Sequence, residues 1–317
     1  MAEREEPLPP TPSPKKGGGE REEAVVSSIP APPPFLGEGV GGVGLFPASD
    51  GYPFYFRHYP ATAPVRARLV FVHGIRSHGG WYTRSCAALA LAGFDVHFLD
   101  RRGSGLNTAH RGDTPGFRRL IDDVAEFVRH LRAEHATLPV FVCGISWGGK
   151  LAVGLPYRAP GLVDGLVLLC PGLVPKISPP LLQRARIAVA RVFRPWKFFP
   201  IPLNEPELFT ASAEGRALID TEPHGLREAT ARFLFNSFSL DIYLRRAAKR
   251  VTVPTLLALA ERDRIIDNAR TVAFAARFRG PVETVTYPGA HHTLEFERAD
   301  HPWLTDLVRW VDARLAR

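Results

Sequence analysis

The feature that most constrains this chain is a series of short, near-continuous apolar runs, at 67–72, 94–99, 139–143, 165–170, 255–259 and 282–287. A segment of strand length that is hydrophobic at consecutive positions must be buried on both faces, which is the situation of a parallel sheet covered by helices. The stretches between the runs fit the covering role. Residues 117–132 place Leu120, Ile121, Val124, Phe127, Val128 and Leu131 on one helical stripe, and 303–315 repeats the pattern. Alternating strand and helix predict an α/β doubly wound sheet. The turn dipeptide Asp50-Gly51 and the alternating stretch 52–59 predict a hairpin ahead of it.

Two segments depart from the alternation. Residues 1–40 mix Pro, Gly, Glu and Lys with few bulky apolar side chains and are expected to form a disordered tail, because they cannot bury enough surface to offset their ordering entropy. Between 171 and 251 about 75 residues contain no convincing strand, five prolines before position 196, and helical runs at 181–193 and 226–238. A helical cap at 173–250, inserted into a core of 41–172 and 251–317, accounts for this. Such an insertion would lie over the carboxyl ends of the strands, where open α/β sheets bind ligands. The net charge of +8 is concentrated there, with 13 basic and 7 acidic residues in 173–250. No nucleic-acid-binding signature accompanies it, so no nucleic-acid partner is expected. The acidic, proline-rich start does not have the form of a secretion signal, and no run of 18 apolar residues occurs, so the expectation is a cytoplasmic protein. Cys86, Cys143 and Cys170 are odd in number and lack CxxC spacing, which predicts buried thiols and neither a disulfide framework nor a metal site.

The sharpest motif is Gly144-Ile145-Ser146-Trp147-Gly148-Gly149, directly after a predicted strand. A tight strand-to-helix turn that presents a serine needs small residues two before and two after it, and Gly144 and Gly148 supply them. A serine hydroxyl needs a base to become a nucleophile, and the base needs an orienting acid. In folds of this kind the order is Ser, then Asp or Glu, then His. Asp263 falls just past the strand 255–259; Glu261 is an alternative acid, while Asp267 is placed to cap the next helix. The base belongs in the loop after 282–287, where His291 and His292 both stand. Donors for a developing oxyanion are expected from the backbone N–H groups of Trp147 and Ile75. His73 reads as a structural residue of its loop.

Taken together these segments resemble the α/β-hydrolase superfamily, in the branch of monoacylglycerol lipases, lysophospholipases and serine aminopeptidases. The carrying stretches are HGIRSHGGWY (73–82), DRRGSGLN (100–107), GISWGG (144–149), VPTLLALAERDRIID (253–267) and YPGAHHTLEFE (287–297). The resemblance implies the α/β-hydrolase fold, a catalytic triad of Ser146, Asp263 and His292, with His292 taken in preference to His291, and no cofactor. Two departures stand out: Ser104 occupies a position where the family commonly has His, and Ala260 one where it usually has Gly. A serine nucleophile also argues against the dehalogenase and epoxide hydrolase activities that resemble this fold but use Asp.

The implied function is hydrolysis of carboxyl esters of apolar or lipid-like acyl groups through an acyl-enzyme. The alternatives are an aminopeptidase or thioesterase of the same fold, or a catalytically silent ligand-binding member. Residues 181–194 place Leu181, Leu182, Ala185, Ala188, Val189, Val192 and Phe193 on one face and Gln183, Arg184, Arg191 and Arg194 on the other. Either the apolar face packs on the core and the arginines are solvated, or part of this surface touches an anionic membrane. Phe193, Trp196, Phe198, Phe199, Phe209, Phe233, Phe235 and Phe238 could line an acyl pocket or form the core of the cap.

Overall fold

The computed structural model describes residues 41–316, and the tail expected at 1–40 lies outside them. The hairpin is present as β1 (Gly42–Pro47) and β2 (Pro53–Tyr59), paired antiparallel. β3 (Ala67–Val72) follows, then helix α1 (Thr83–Leu91), β4 (Phe94–Leu99) and α2 (Phe117–Glu134). β5 (Val140–Ile145), α3 (Gly148–Arg158) and β6 (Gly165–Leu169) complete the first half. After the insertion come β9 (Thr255–Ala260), α7 (Asn268–Ala275), β10 (Val282–Tyr287) and α8 (Trp303–Leu315).

The sheet has eight strands in the order β1-β2-β4-β3-β5-β6-β9-β10, parallel from β4 onward. Every residue of β3, β4, β5, β6 and β9 is buried, as continuous hydrophobicity requires. β10 differs. It is the edge strand, paired with β9 alone, and most of its residues are only half-buried or exposed. The stripe predicted for α2 is the face that helix buries, joined by Asp123, which reaches Arg102 through two hydrogen bonds of 2.9 and 3.0 Å.

Between β6 and β9 lie α4 (Leu181–Phe193), β7 (Phe198–Pro200), α5 (Ala213–Thr221), β8 (Glu228–Thr230) and α6 (Ala231–Ala247). Two expectations need correction here. β7 and β8 pair antiparallel, and at three residues each they are too short to leave a periodic signal. The helix expected at 226–238 starts later and runs further, because Glu228–Thr230 are extended in β8 and the Thr230 hydroxyl caps α6 by accepting the Phe233 N–H. The segment contributes nothing to the eight-stranded sheet but is tied to it. Asp113 accepts from the Thr230 hydroxyl at 2.6 Å and from Arg232 Nε at 3.0 Å, and buried Lys150 of α3 pairs with Asp241 of α6 at 2.5 Å.

α4 departs from one of the two expectations for its apolar face. Leu181, Leu182, Ala185, Ala188, Val189, Val192 and Phe193 are all exposed and do not pack on the core. The helix is held by Ile187 and Ala190, which join Phe199 and Ala231 in a small cluster separate from the main core.

Candidate active site

Ser146, Asp263 and His292 come from three loops at the carboxyl ends of parallel strands, β5, β9 and β10 respectively. Ser146 sits at φ 49°, a left-handed conformation uncommon for a residue with a side chain. The turn is held there by its own hydrogen bonds: Ser146 N–H donates to Leu169 at 3.0 Å, and its carbonyl accepts from Gly149 at 3.0 Å and Gly172 at 2.7 Å. The flanking glycines are needed for space. A Cβ on Gly144 would stand 2.7 Å from Gly149 Cα, and one on Gly148 would strike the Val72 carbonyl.

The three side chains form a continuous chain of hydrogen bonds. His292 Nε2 lies 2.9 Å from Ser146 Oγ and Nδ1 lies 2.7 Å from Asp263 Oδ2. The second oxygen, Oδ1, accepts the N–H groups of Ile265 at 2.8 Å and Ile266 at 2.9 Å. Burial disfavours ionisation of Asp263, but His292 and these two donors outweigh it and hold the carboxyl below its usual value. The chain leaving β6 braces the acid loop, with Lys176 Nζ donating to the Asp263 carbonyl at 2.7 Å and the Asp267 N–H to Val174 at 2.9 Å.

The neighbouring candidates are occupied elsewhere. His291 is turned to Glu297, which accepts its N–H at 2.7 Å and lies 3.3 Å from its ring. Glu261 accepts the Gly289 N–H at 2.7 Å, and Asp267 caps α7 through the Arg270 N–H at 3.0 Å. His73 is wholly buried, with Nδ1 2.8 Å from the Gly74 carbonyl and Nε2 accepting the Arg101 N–H at 2.9 Å. Burial pushes its basicity well down, so it is a neutral structural residue. Ile75 follows Gly74, and a Cβ on Gly74 would come within 3.4 Å of Ser146 Oγ, so that loop passes directly over the hydroxyl. Trp147 follows Ser146 and donates its indole N–H to Ser237 of α6 at 2.8 Å.

The family model of the serine aminopeptidase S33 hydrolases matches residues 63–299. The chain belongs to this family. It is 29% identical over 287 residues to the monoacylglycerol lipase of Mycolicibacterium smegmatis, covering 87% of this chain and 96% of that one. The YnbC protein of Escherichia coli is 26% identical over 257 residues, which are 80% of this chain and 44% of the length of YnbC. In fold the chain is similar to a soluble variant of the monoglyceride lipase of Saccharomyces cerevisiae bound to a substrate analog, with a TM-score of 0.77 at 20% identity, covering 90% of this chain and 99% of that one.

For an S33 hydrolase the two departures are conservative in place. Ser104 is buried with Oγ 3.3 Å from His73 Nε2, and Ala260 ends β9 with its carbonyl accepting from Asn268 at 2.8 Å. Two residues beside the site have no part in it that the sequence analysis assigned. Cys170 is at φ 42° and buried, and its Sγ, the Asp263 carboxylate and the His292 ring nitrogen lie within 4.8 Å of one another. Burial and then the nearby Asp263 charge push this thiol well up, so it stays protonated. Arg101 stands inside the DRRG stretch and packs under the Gly74 loop. A second group that could ligate a metal, His58, Asp95 and His97, has Arg68 Nε on the same carboxylate at 3.0 Å, and that cation opposes a metal there.

Proposed function

We propose that this protein is a serine hydrolase that cleaves carboxyl esters of lipid-like acyl groups through an acyl-enzyme. The observation that carries the reading is the unbroken Asp263–His292–Ser146 hydrogen-bond chain, with the serine raised on a left-handed turn. In this mechanism Ser146 Oγ attacks the ester carbonyl while His292 Nε2 takes its proton, and Asp263 stabilises the resulting imidazolium. The N–H groups of Ile75 and Trp147 receive the oxyanion. Collapse of the tetrahedral species breaks the bond to the alcohol, which leaves with the proton from His292. Water, deprotonated by the same histidine, then attacks the acyl-serine, and the acid departs with Ser146 Oγ reprotonated.

The lipid side of the reading rests on likeness to a monoacylglycerol lipase along nearly its full length and on the residues 173–250, which act as a cap over the site. Phe209 stands edge-on to His292 with ring centroids 6.0 Å apart, and Phe233 stacks on Trp147 at 5.4 Å, so apolar rings of the cap border the reacting groups. Outward from them, Leu181, Val192, Phe193 and Trp196 are 70% or more exposed, with Arg184, Arg186, Arg194 and Lys197 exposed among them. An apolar patch rimmed by cations suits peripheral contact with an anionic bilayer. Among the described residues no helix is long and apolar enough to cross one.

The test is a fluorophosphonate probe followed by p-nitrophenyl esters from acetate to palmitate, monoacylglycerol, lysophospholipid and an aminoacyl anilide. The wild type should label and favour the longer esters, and Ser146→Ala should neither label nor turn over. Preference for the anilide would make the protein an aminopeptidase. Retention of more than about a tenth of the wild-type rate by Ser146→Ala would remove the serine mechanism.

A further inference from the structure

Arg101 is 2% exposed, yet among the described residues it forms no salt bridge, and only the charge of the adjacent Asp100 favours its own. Its Nη2 donates to the carbonyls of Gly74 at 2.8 Å and Ile75 at 3.0 Å, while Nε and Nη1 find no acceptor among the described residues. The adjacent Asp100 is engaged by Arg57 and by the N–H groups of Gly79 and Leu106. The guanidinium instead lies 4.9 Å from the ring centroid of Trp147 and 5.9 Å from that of Phe233. Burying a cation with so little polar compensation is costly, and an arginine keeps its charge at neutral pH even when burial lowers its pKa. The two carbonyls alone could be satisfied by a neutral donor.

The carbonyl of Gly74 and the N–H of Ile75 belong to one peptide unit. In a planar trans peptide these groups point in opposite directions, so whatever anchors the oxygen also aims the N–H. Two donors anchor this oxygen, Arg101 Nη2 at 2.8 Å and His73 Nδ1 at 2.8 Å, and the His73 ring is itself fixed by the Arg101 N–H. A cation on the carbonyl draws electron density through the amide and makes the opposite N–H a stronger donor. The same guanidinium lies against the ring of Trp147, the residue that supplies the other N–H.

We infer that Arg101 is a positioning residue for the oxyanion hole: it aims and polarises the Gly74–Ile75 peptide and braces Trp147, so that one buried charge serves both donors. The inference rests on the reading of Ile75 and Trp147 given under the proposed function. It goes beyond that reading by assigning a residue that touches neither substrate nor triad.

The test compares Arg101→Gln and Arg101→Lys with wild type and with Ser146→Ala on a short soluble p-nitrophenyl ester. Losing one oxyanion donor typically lowers kcat by about 100-fold or more, so Arg101→Gln, which weakens donors without deleting them, should lose about 10- to 100-fold in kcat with KM within about threefold. Arg101→Lys keeps the charge and should recover part of that loss. Affinity for a trifluoromethyl ketone, whose hemiketal with Ser146 carries the oxyanion, should fall by the same factor as kcat/KM. The inference is overturned if both variants keep kcat within about twofold of wild type, or if kcat falls while the ketone binds unchanged. Should Arg101→Gln not fold, Arg101→Lys decides: a lower melting temperature with unchanged kcat means a purely structural arginine. Full activity of Ser146→Ala would instead remove the mechanism beneath the inference, whereas an inactive Ser146→Ala beside unaltered Arg101 variants removes the inference alone.

Discussion

His291 and His292 differ by one position and by everything that matters chemically. The first is held by Glu297, the second lies between Asp263 and Ser146. His292→Ala should therefore lower ester turnover by about 10⁴-fold or more, and His291→Ala by about tenfold or less through the loop it anchors; steady-state kinetics on one ester give the ranking. Three residues on, Glu295 is buried against the first turn of α1, where the Ser85 N–H donates at 3.3 Å and Arg84 Nε stands 3.8 Å away. Its other oxygen has no partner among the described residues. Burial pushes this carboxyl up to about 7, against the pull of Ser85 and Arg84. For an acid whose folded pKa is raised, the unfolded chain releases the proton first, so stability is full below about pH 4.5 and is lost as pH climbs to about 7. The loss is on the order of 3 kcal/mol by pH 8. Glu295→Gln should flatten this dependence and melt higher than wild type at pH 8, while the two proteins converge near pH 5. Parallel melting curves across that range would show that the buried carboxyl does not titrate there.

At the scale of elements, α4 is the clearest case of an amphipathic pattern whose apolar side was left outside. Its inner contacts are Ile187 and Ala190, and its other large apolar side chains, Leu181, Leu182, Val189, Val192 and Phe193, are exposed. Two kinds of substitution separate the contributions to bilayer binding. Arg184→Gln, Arg191→Gln and Arg194→Gln together should weaken co-sedimentation with anionic liposomes at low salt, where each cation contributes about 1 kcal/mol, and change little at high salt. Val192→Ser, Phe193→Ser and Trp196→Ser should weaken it at both, because burial of apolar surface is not screened. Turnover of a soluble acetate ester should be unchanged in both sets. If wild type does not sediment at low salt, the outward face of α4 has no bilayer partner.

Across the whole molecule, the inserted segment shares the main hydrophobic core through residues such as Phe209, Ile219, Phe233, Leu240 and Leu244, and a few buried polar contacts add to that attachment. Asp113 accepts from both Thr230 and Arg232, and although burial opposes its charge, the Arg232 bond holds its carboxyl below the usual value. Asp113→Ala would strand the Thr230 hydroxyl and Arg232 together, at a cost of about 1 to 3 kcal/mol. That corresponds to roughly 2 to 4 °C in melting temperature per kcal/mol for a domain of this size, readable by calorimetry. If Tm is unchanged, solvent replaces those contacts without loss.

The sequence by itself determined the strands of the main sheet and the loops that carry the proposed reacting groups. Continuous apolar runs cannot be left in water, so β3, β4, β6 and β9 begin where hydrophobicity begins, and all four sit in one sheet. A serine between glycines after such a run can only be a tight turn, and chain order then restricts the acid and the base to two loops. Tertiary structure decided the matters that depend on neighbours far away in the chain. Chain order leaves two adjacent histidines and the family resemblance prefers His292; the fold supplies the reason, since Glu297 holds His291 while His292 reaches both Asp263 and Ser146, which are distant in the chain. The short pair β7 and β8 and the late start of α6 follow from pairing across 27 intervening residues or more, beyond any periodic signal. The outward face of α4 has the same pattern as an inward one, because periodicity reveals that a helix has two sides and not which side finds a partner. Arg101 stands in the stretch DRRGSGLN with no role of its own legible there, and only the fold places it, buried and without a salt bridge among the described residues, behind the peptide that carries the Ile75 N–H.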